Sequence, residues 1–76
     1  MALVYSLPRA GRTRLSILDP SGRRVATVMD DTVQAGSGRA VWHGGDKAGR
    51  AVAPGVYFAV LEFEGDRRVA KFVRAR

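Results

Sequence analysis

The stretch Trp42-His43-Gly44-Gly45-Asp46-Lys47-Ala48-Gly49-Arg50, followed by Ala53-Pro54-Gly55-Val56-Tyr57-Phe58, constrains this chain more than any other segment. Its glycines accept positive φ at little steric cost, and Pro54-Gly55 is a turn dipeptide. The segment therefore reads as a corner between two β-strands. Trp42, the only tryptophan, is the expected core centrepiece of a second sheet. Beyond the corner, Tyr57, Ala59, Leu61 and Phe63 share one face of an alternating run, and Val56, Phe58, Val60 and Glu62 share the other. Both faces are largely apolar. Such a strand is central and covered on both sides, or it leaves an apolar strip for a partner to cover.

The remaining segments repeat the strand-and-turn pattern. Leu3 to Leu7 is a short apolar run stopped by Pro8, and Arg9-Ala10-Gly11 is a turn. From Arg12 the chain alternates, with Thr13, Leu15 and Ile17 opposite Arg12, Arg14 and Ser16. Asp19-Pro20-Ser21-Gly22 closes that strand, so Arg23 to Met29 returns as its hairpin partner. Val25 and Val28 cannot share a face by strict alternation; a bulge near Ala26-Thr27 or a strand that switches sheets reconciles them, and the bulge is the expectation here. Asp30 to Gly38 reads as a polar loop, and Arg39 to Trp42 as a short strand. Glu64-Gly65-Asp66 is a tight turn into a last strand from Arg67 to Arg76, whose mixed charges suit a sheet edge. No segment carries the apolar stripe of a helix. The count is about seven short strands, the pattern of a small antiparallel β-sandwich of immunoglobulin-like or fibronectin-III-like type.

Size and composition bound the function. A chain of 76 residues makes one small domain, here residues 1–76, and leaves little room for a deep catalytic cavity. Without cysteine it has neither a disulfide framework nor a thiolate site. The start at Met1-Ala2-Leu3-Val4 lacks the basic flank and long apolar run of a signal peptide, so any export signal is expected outside this chain. No apolar stretch approaches the length of a membrane span. Thirteen Lys and Arg against seven Asp and Glu give a net charge of +6. The arginines are spread over several strands and turns, whereas nucleic-acid recognition needs a contiguous stripe, usually with aromatics for stacking. The sequence thus argues against nucleic acid and against a small-molecule ligand.

Candidate chemistry is sparse. Ser6, Ser16, Ser21 and Ser37 have no nucleophile elbow and no supporting histidine and acid. Gly44-Gly45 and the Gly36-x-Gly38 pair lack the Lys-Ser/Thr ending of a phosphate loop. His43 is the only histidine and stands without convergent ligands. Asp46 is expected to accept backbone N–H bonds within its own loop; calcium is the sharper alternative, but Asp46 is the only carboxylate in that stretch. The chain is read as no enzyme, with no cofactor and no metal.

Several spaced motifs in one order resemble a known family: Leu3-Val4-Tyr5-Ser6-Leu7-Pro8, Leu15-Ser16-Ile17-Leu18-Asp19, Gly22-Arg23 with Val25, Gly36, Trp42-x-Gly44-x-Asp46-x-x-Gly49 and Pro54-Gly55-Val56-Tyr57-Phe58. Together they resemble the immunoglobulin-like domain family of the flagellar hook-capping protein. The pattern is also similar to the C-terminal sorting domains of the type IX secretion pathway. Members usually carry Asp where this chain has His43. The resemblance implies that Trp42, Gly44, Asp46, Gly49, Pro54, Gly55 and Tyr57 form a structural motif. It further implies a secreted or cell-surface bacterial protein and a non-catalytic structural, assembly or attachment module. Such a module meets neighbouring domains, secretion machinery or other copies of itself through an apolar strip and an edge strand, with Phe58, Val60, Lys71, Phe72 and Arg74 as candidate contacts. Three alternatives stay open: a sorting signal, a filament subunit that assembles by strand addition, and a module binding nucleic acid or acidic glycan.

Overall fold

A computed structural model describes residues 1–75; Arg76, which ends the expected last strand, lies outside the described residues. Six strands form: β1 (Ala2–Leu7), β2 (Gly11–Leu18), β3 (Arg24–Val33), β4 (Gly36–Val41), β5 (Gly55–Phe63) and β6 (Asp66–Arg74). They build two antiparallel sheets, one of four strands in the order β3-β2-β5-β6 and one of two, β1-β4. The count is six rather than about seven, and the corner between β4 and β5 adds only an isolated bridge between Gly45 and Ala51. There Asp46 folds the chain back within five residues, too few to extend a strand.

The expected loop from Asp30 to Gly38 is largely strand. Asp30 to Val33 continue β3 against Gly11 to Arg14, and Gly36 to Gly38 begin β4 against Tyr5 to Leu7. Polar side chains are compatible with pairing here because Asp30, Asp31 and Thr32 face solvent at a sheet edge, and the Arg12 guanidinium reaches Asp30 across the ladder at 2.8 Å. Gly38 carries no side chain because the Tyr5 ring lies over it from the paired strand.

The bulge expected near Ala26-Thr27 is present twice, on either side of that dipeptide. Leu15 pairs with Met29 and Ser16 with Thr27, which leaves Val28 extra; Ile17 pairs with Ala26 and Leu18 with Arg24, which leaves Val25 extra. Each extra residue resets the alternation, so Val25, Ala26, Val28 and Met29 all pack toward the same core.

That core lies between the sheets. β2 supplies Thr13, Leu15 and Ile17, β5 supplies Tyr57, Ala59 and Phe63, and Trp42 closes it from the end of β4. Ile17 is fully buried, worth roughly 1.5–3 kcal/mol relative to exposure. Thr13 is equally buried and its hydroxyl donates to the Gly11 carbonyl at 3.2 Å. On one side the sandwich is closed where the chain passes from β3 to β4 through Gln34 and Ala35. On the other side β1 and β6 face each other as edge strands and leave a groove of about 430 Å³, walled by Leu3, Tyr5, Leu7, Leu61, Phe63 and Ala70.

Candidate interaction surface

The glycine-rich corner is held from within. Trp42 is buried, its indole Nε1 donates to the Gly45 carbonyl at 2.9 Å, and its ring meets Tyr57 edge-on with centroids 5.8 Å apart. The Tyr57 hydroxyl donates to the Ala53 carbonyl, which anchors the chain just before Pro54 and Gly55. Gly44 is buried at φ +79°, and the Arg74 guanidinium occupies the space where a β-carbon would stand. Gly49 at φ +82° turns the chain beyond Asp46. The seven motif residues thus meet in one corner, as a packing and turn unit.

Asp46 is occupied by its own loop. Its Oδ1 accepts from the backbone N–H groups of Ala48 at 2.9 Å and Arg50 at 3.0 Å, and its Oδ2 faces the Arg50 guanidinium at 3.6 Å. The Arg50 amide bond, reinforced by the Ala48 amide and the Arg50 charge, holds the carboxyl below its ordinary pKa. With both oxygens engaged inward, the residue is not aimed at a cation. Among the described residues no cluster of three His, Asp or Glu could hold a metal ion, and His43 is exposed.

The same loop occurs twice. Asp19-Pro20-Ser21-Gly22-Arg23 and Asp46-Lys47-Ala48-Gly49-Arg50 share Asp, Gly and Arg at equal spacing. In both, the Asp N–H donates to the Arg carbonyl and the Gly N–H donates to the Asp carbonyl. Asp19 Oδ1 likewise collects the Ser21 hydroxyl at 2.6 Å and the amides of Ser21 and Arg23, and the Ser21 hydroxyl leads in lowering its pKa. The two loops line one shallow depression, and the charge of Arg23 reaches Asp46. The sequence held this signal as a repeated Asp-x-x-Gly-Arg, which a reading centred on the corner passes over.

The candidate partner contacts separate into two groups. Phe72 turns inward and meets Trp42 edge-on, Arg74 covers Gly44, and Val60 is only 2% exposed beneath its neighbours on the outer face. These three serve packing in the isolated chain. Phe58, half-buried, and Lys71, exposed, are paired across β5 and β6 on the outer face of the four-stranded sheet. Around them lie Val56, Val69 and Val73, exposed by 36%, 55% and 68%, which the sequence did not single out as contacts. Their signal was the alternation of β6, which puts Arg67, Val69, Lys71 and Val73 on one face once its register with β5 is fixed.

β6 pairs only with β5, so its other side is an open edge. Four arginines elsewhere are matched by carboxylates: Arg9 with Glu64, Arg12 with Asp30, Arg14 with Glu62 and Arg50 with Asp46. Among the described residues Arg67, Arg68 and Lys71 of β6 have no such partner. No helix is long and apolar enough to cross a membrane, a statement that covers the described residues and says nothing of β-barrels.

Comparison with known proteins agrees with this architecture. A family model described as the FlgD Ig-like domain matches residues 2–66. No curated protein matches the chain. Among solved structures, the crystal structure of FlgD from P. aeruginosa superposes with a TM-score of 0.70 at 22% sequence identity, over 96% of this chain and 58% of that one. The chain therefore spans little more than half of that structure, and the likeness is one of fold.

Proposed function

The chain belongs to the FlgD Ig-like domain family, and on that premise we propose that it is a non-catalytic structural module joining proteins within an exported bacterial assembly. The observation that carries the reading is the outer face of the four-stranded sheet. There Val56, Val69 and Val73 stand exposed around Phe58, beside a strand whose edge is open. Contiguous apolar surface next to an unpaired edge suits a protein partner, which covers the side chains and can continue the ladder. Residues 1–76 act as one immunoglobulin-like domain of a longer protein that works at the cell surface or in the medium.

Val69→Asp and Val73→Asp, introduced together in the full-length protein, test the assembly role. Both side chains are exposed, so circular dichroism and Tm stay near those of the parent, while recovery in assembled complexes falls. Unchanged recovery would remove the outer face from the function. Immunoblotting of cytoplasm, envelope, surface and medium with an antibody to this domain tests the location. An epitope kept on surface or released assemblies supports a permanent module; an epitope lost during export identifies a cleaved sorting signal instead.

A further inference from the structure

We propose that the open edge of β6 accepts an extended acidic segment of a partner protein as a fifth strand of the large sheet, lying along the groove between β6 and β1. The proposal rests on the assembly reading and specifies the chemistry of the partner.

Three independent observations converge on this edge. First, every residue from Asp66 to Lys71 is exposed, and the strand is paired on one side only, so its free backbone groups can receive another ladder. Second, the inward-facing side of β6 is uncovered over its first half, at Arg68 and Ala70. Ala70 and Arg68 pair across the sheet with the core-facing Ala59 and Leu61, yet both remain exposed. The resulting groove of about 430 Å³ is walled by the apolar side chains of Leu3, Tyr5, Leu7, Leu61 and Phe63. A strand added at the usual spacing of about 4.8 Å would project alternate side chains over that groove.

Third, the charge selects the occupant. The carboxylates of Asp30, Asp46, Glu62 and Glu64 are ion-paired with arginines of other segments, and among the described residues Arg67, Arg68 and Lys71 make no ion pair, so even with Asp66 on the strand and Glu62 across from Arg67 the edge carries an excess of positive charge. A second copy pairing β6 with β6 in the register centred on Val69 would set Arg67 against Lys71, and like charges directly opposite destabilise a sheet. An acidic strand removes that repulsion.

Register then dictates a pattern. The outer face of β6 alternates Arg67, Val69, Lys71, Val73, while Arg68 and Ala70 face the groove. An antiparallel partner therefore reads, from the Val73 end, apolar, neutral, acidic, apolar, apolar, acidic, acidic. The blocked peptide Val-Thr-Glu-Ile-Val-Glu-Glu meets this pattern, with its glutamates opposite Lys71, Arg68 and Arg67 and its isoleucine opposite Ala70.

The test titrates this peptide into the 76-residue chain by NMR and follows amide exchange along β6. Binding with new protection confined to Arg67–Val73, weakened by raising salt from about 50 to about 500 mM, is expected. The chain carrying Arg67→Glu and Lys71→Glu should bind the peptide about tenfold or more weakly and should instead bind its Lys-for-Glu counterpart. That reversal shows the variant is folded and ties affinity to these two positions. Equal binding of a scrambled peptide or polyglutamate without β6 protection overturns strand addition. Tighter binding of a single-stranded oligonucleotide, or concentration-dependent dimerisation through β6, overturns the assignment of an acidic protein segment. If the peptide fails while Val69→Asp/Val73→Asp still abolishes assembly, this inference falls and the assembly role stands. Peptide binding without any effect of that pair on assembly upholds strand addition and removes the outer face from assembly.

Discussion

Phe72 stands edge-on to Trp42, with ring centroids 5.8 Å apart and planes at 78°, so the strand at the margin of the large sheet also completes the aromatic cluster at the centre of the sandwich. Tyr57 is the third member, 5.8 Å from Trp42 and 6.1 Å from Phe72. Phe72→Ala should cost about 2–3 kcal/mol, less than a fully buried phenylalanine because the ring is half-exposed. Urea unfolding followed by Trp42 fluorescence measures this, and the emission should shift to the red as the indole gains water. A loss under about 0.5 kcal/mol would mean that β6 is docked by its backbone alone.

Two glycines have different reasons to lack a side chain. Gly44 sits at φ +79° under the Arg74 guanidinium, whereas Gly38 lies under the Tyr5 ring with no positive φ to satisfy. Gly44→Ala should cost about 1–2 kcal/mol from the left-handed backbone. Removing the overlap with Arg74→Ala should leave that penalty in place, because a flexible guanidinium can move aside and the backbone cannot. For Gly38→Ala the cost should instead be relieved by Tyr5→Ala. Chemical denaturation of the four single and two double variants separates the cases.

The paired Asp loops predict an acid-sensitive end of the molecule. Asp19 and Asp46 both have lowered folded pKa values from hydrogen bonds to their carboxylates. Each therefore contributes stability that is fully present above the unfolded aspartate pKa near ~3.9 and is lost as pH falls through the lower folded value. Asp19→Asn and Asp46→Asn should lower the urea midpoint at neutral pH and flatten its decline below about pH 4. Parallel curves for parent and variants across that range would show that the acid limb arises elsewhere.

Ser16 occupies the middle of β2 at 1% exposure, on the outer face, and among the described residues its Oγ has no hydrogen-bond partner. Ser16→Ala removes an unpaired buried hydroxyl and should raise stability by about 1 kcal/mol. A thermal melt reads the change directly. A fall in Tm would mean that the hydroxyl is satisfied in solution.

The fold was legible wherever side-chain type follows position. The alternation of Thr13, Leu15 and Ile17 identified β2, and the corner at Trp42 located the junction before β5. Val25 and Val28 announced a bulge, because no regular strand turns both to one core. What escaped were properties of pairing. Asp30 to Val33 read as loop because their polarity is that of an exposed edge, and only their register with Gly11 to Arg14 makes them strand. Gly36 and Gly38 read as breakers until Tyr5 is placed over Gly38. At the surface, the alternation of β5 put Phe58 and Val60 on one face without telling which is covered, and the parity of the last strand stayed ambiguous, with Lys71 between Val69 and Val73 and Arg74 after Phe72, until its register with β5 was fixed. Whether an apolar side chain on a two-faced strand is covered depends on the neighbouring strands, and their order is not written in local sequence.

The division into a large sheet and a two-stranded one also carries a kinetic meaning. β2 with β3 and β5 with β6 are joined by short turns and can zip as hairpins on the microsecond scale. Joining the two hairpins is the costlier closure: β2 meets β5 from Thr13 against Phe63 to Leu18 against Phe58, a longer loop than the one that brings Leu7 to Gly36 and Ala2 to Val41. The edge of β6 is therefore laid down with its own hairpin, whereas the groove beside it is complete only once β1 lies against the large sheet.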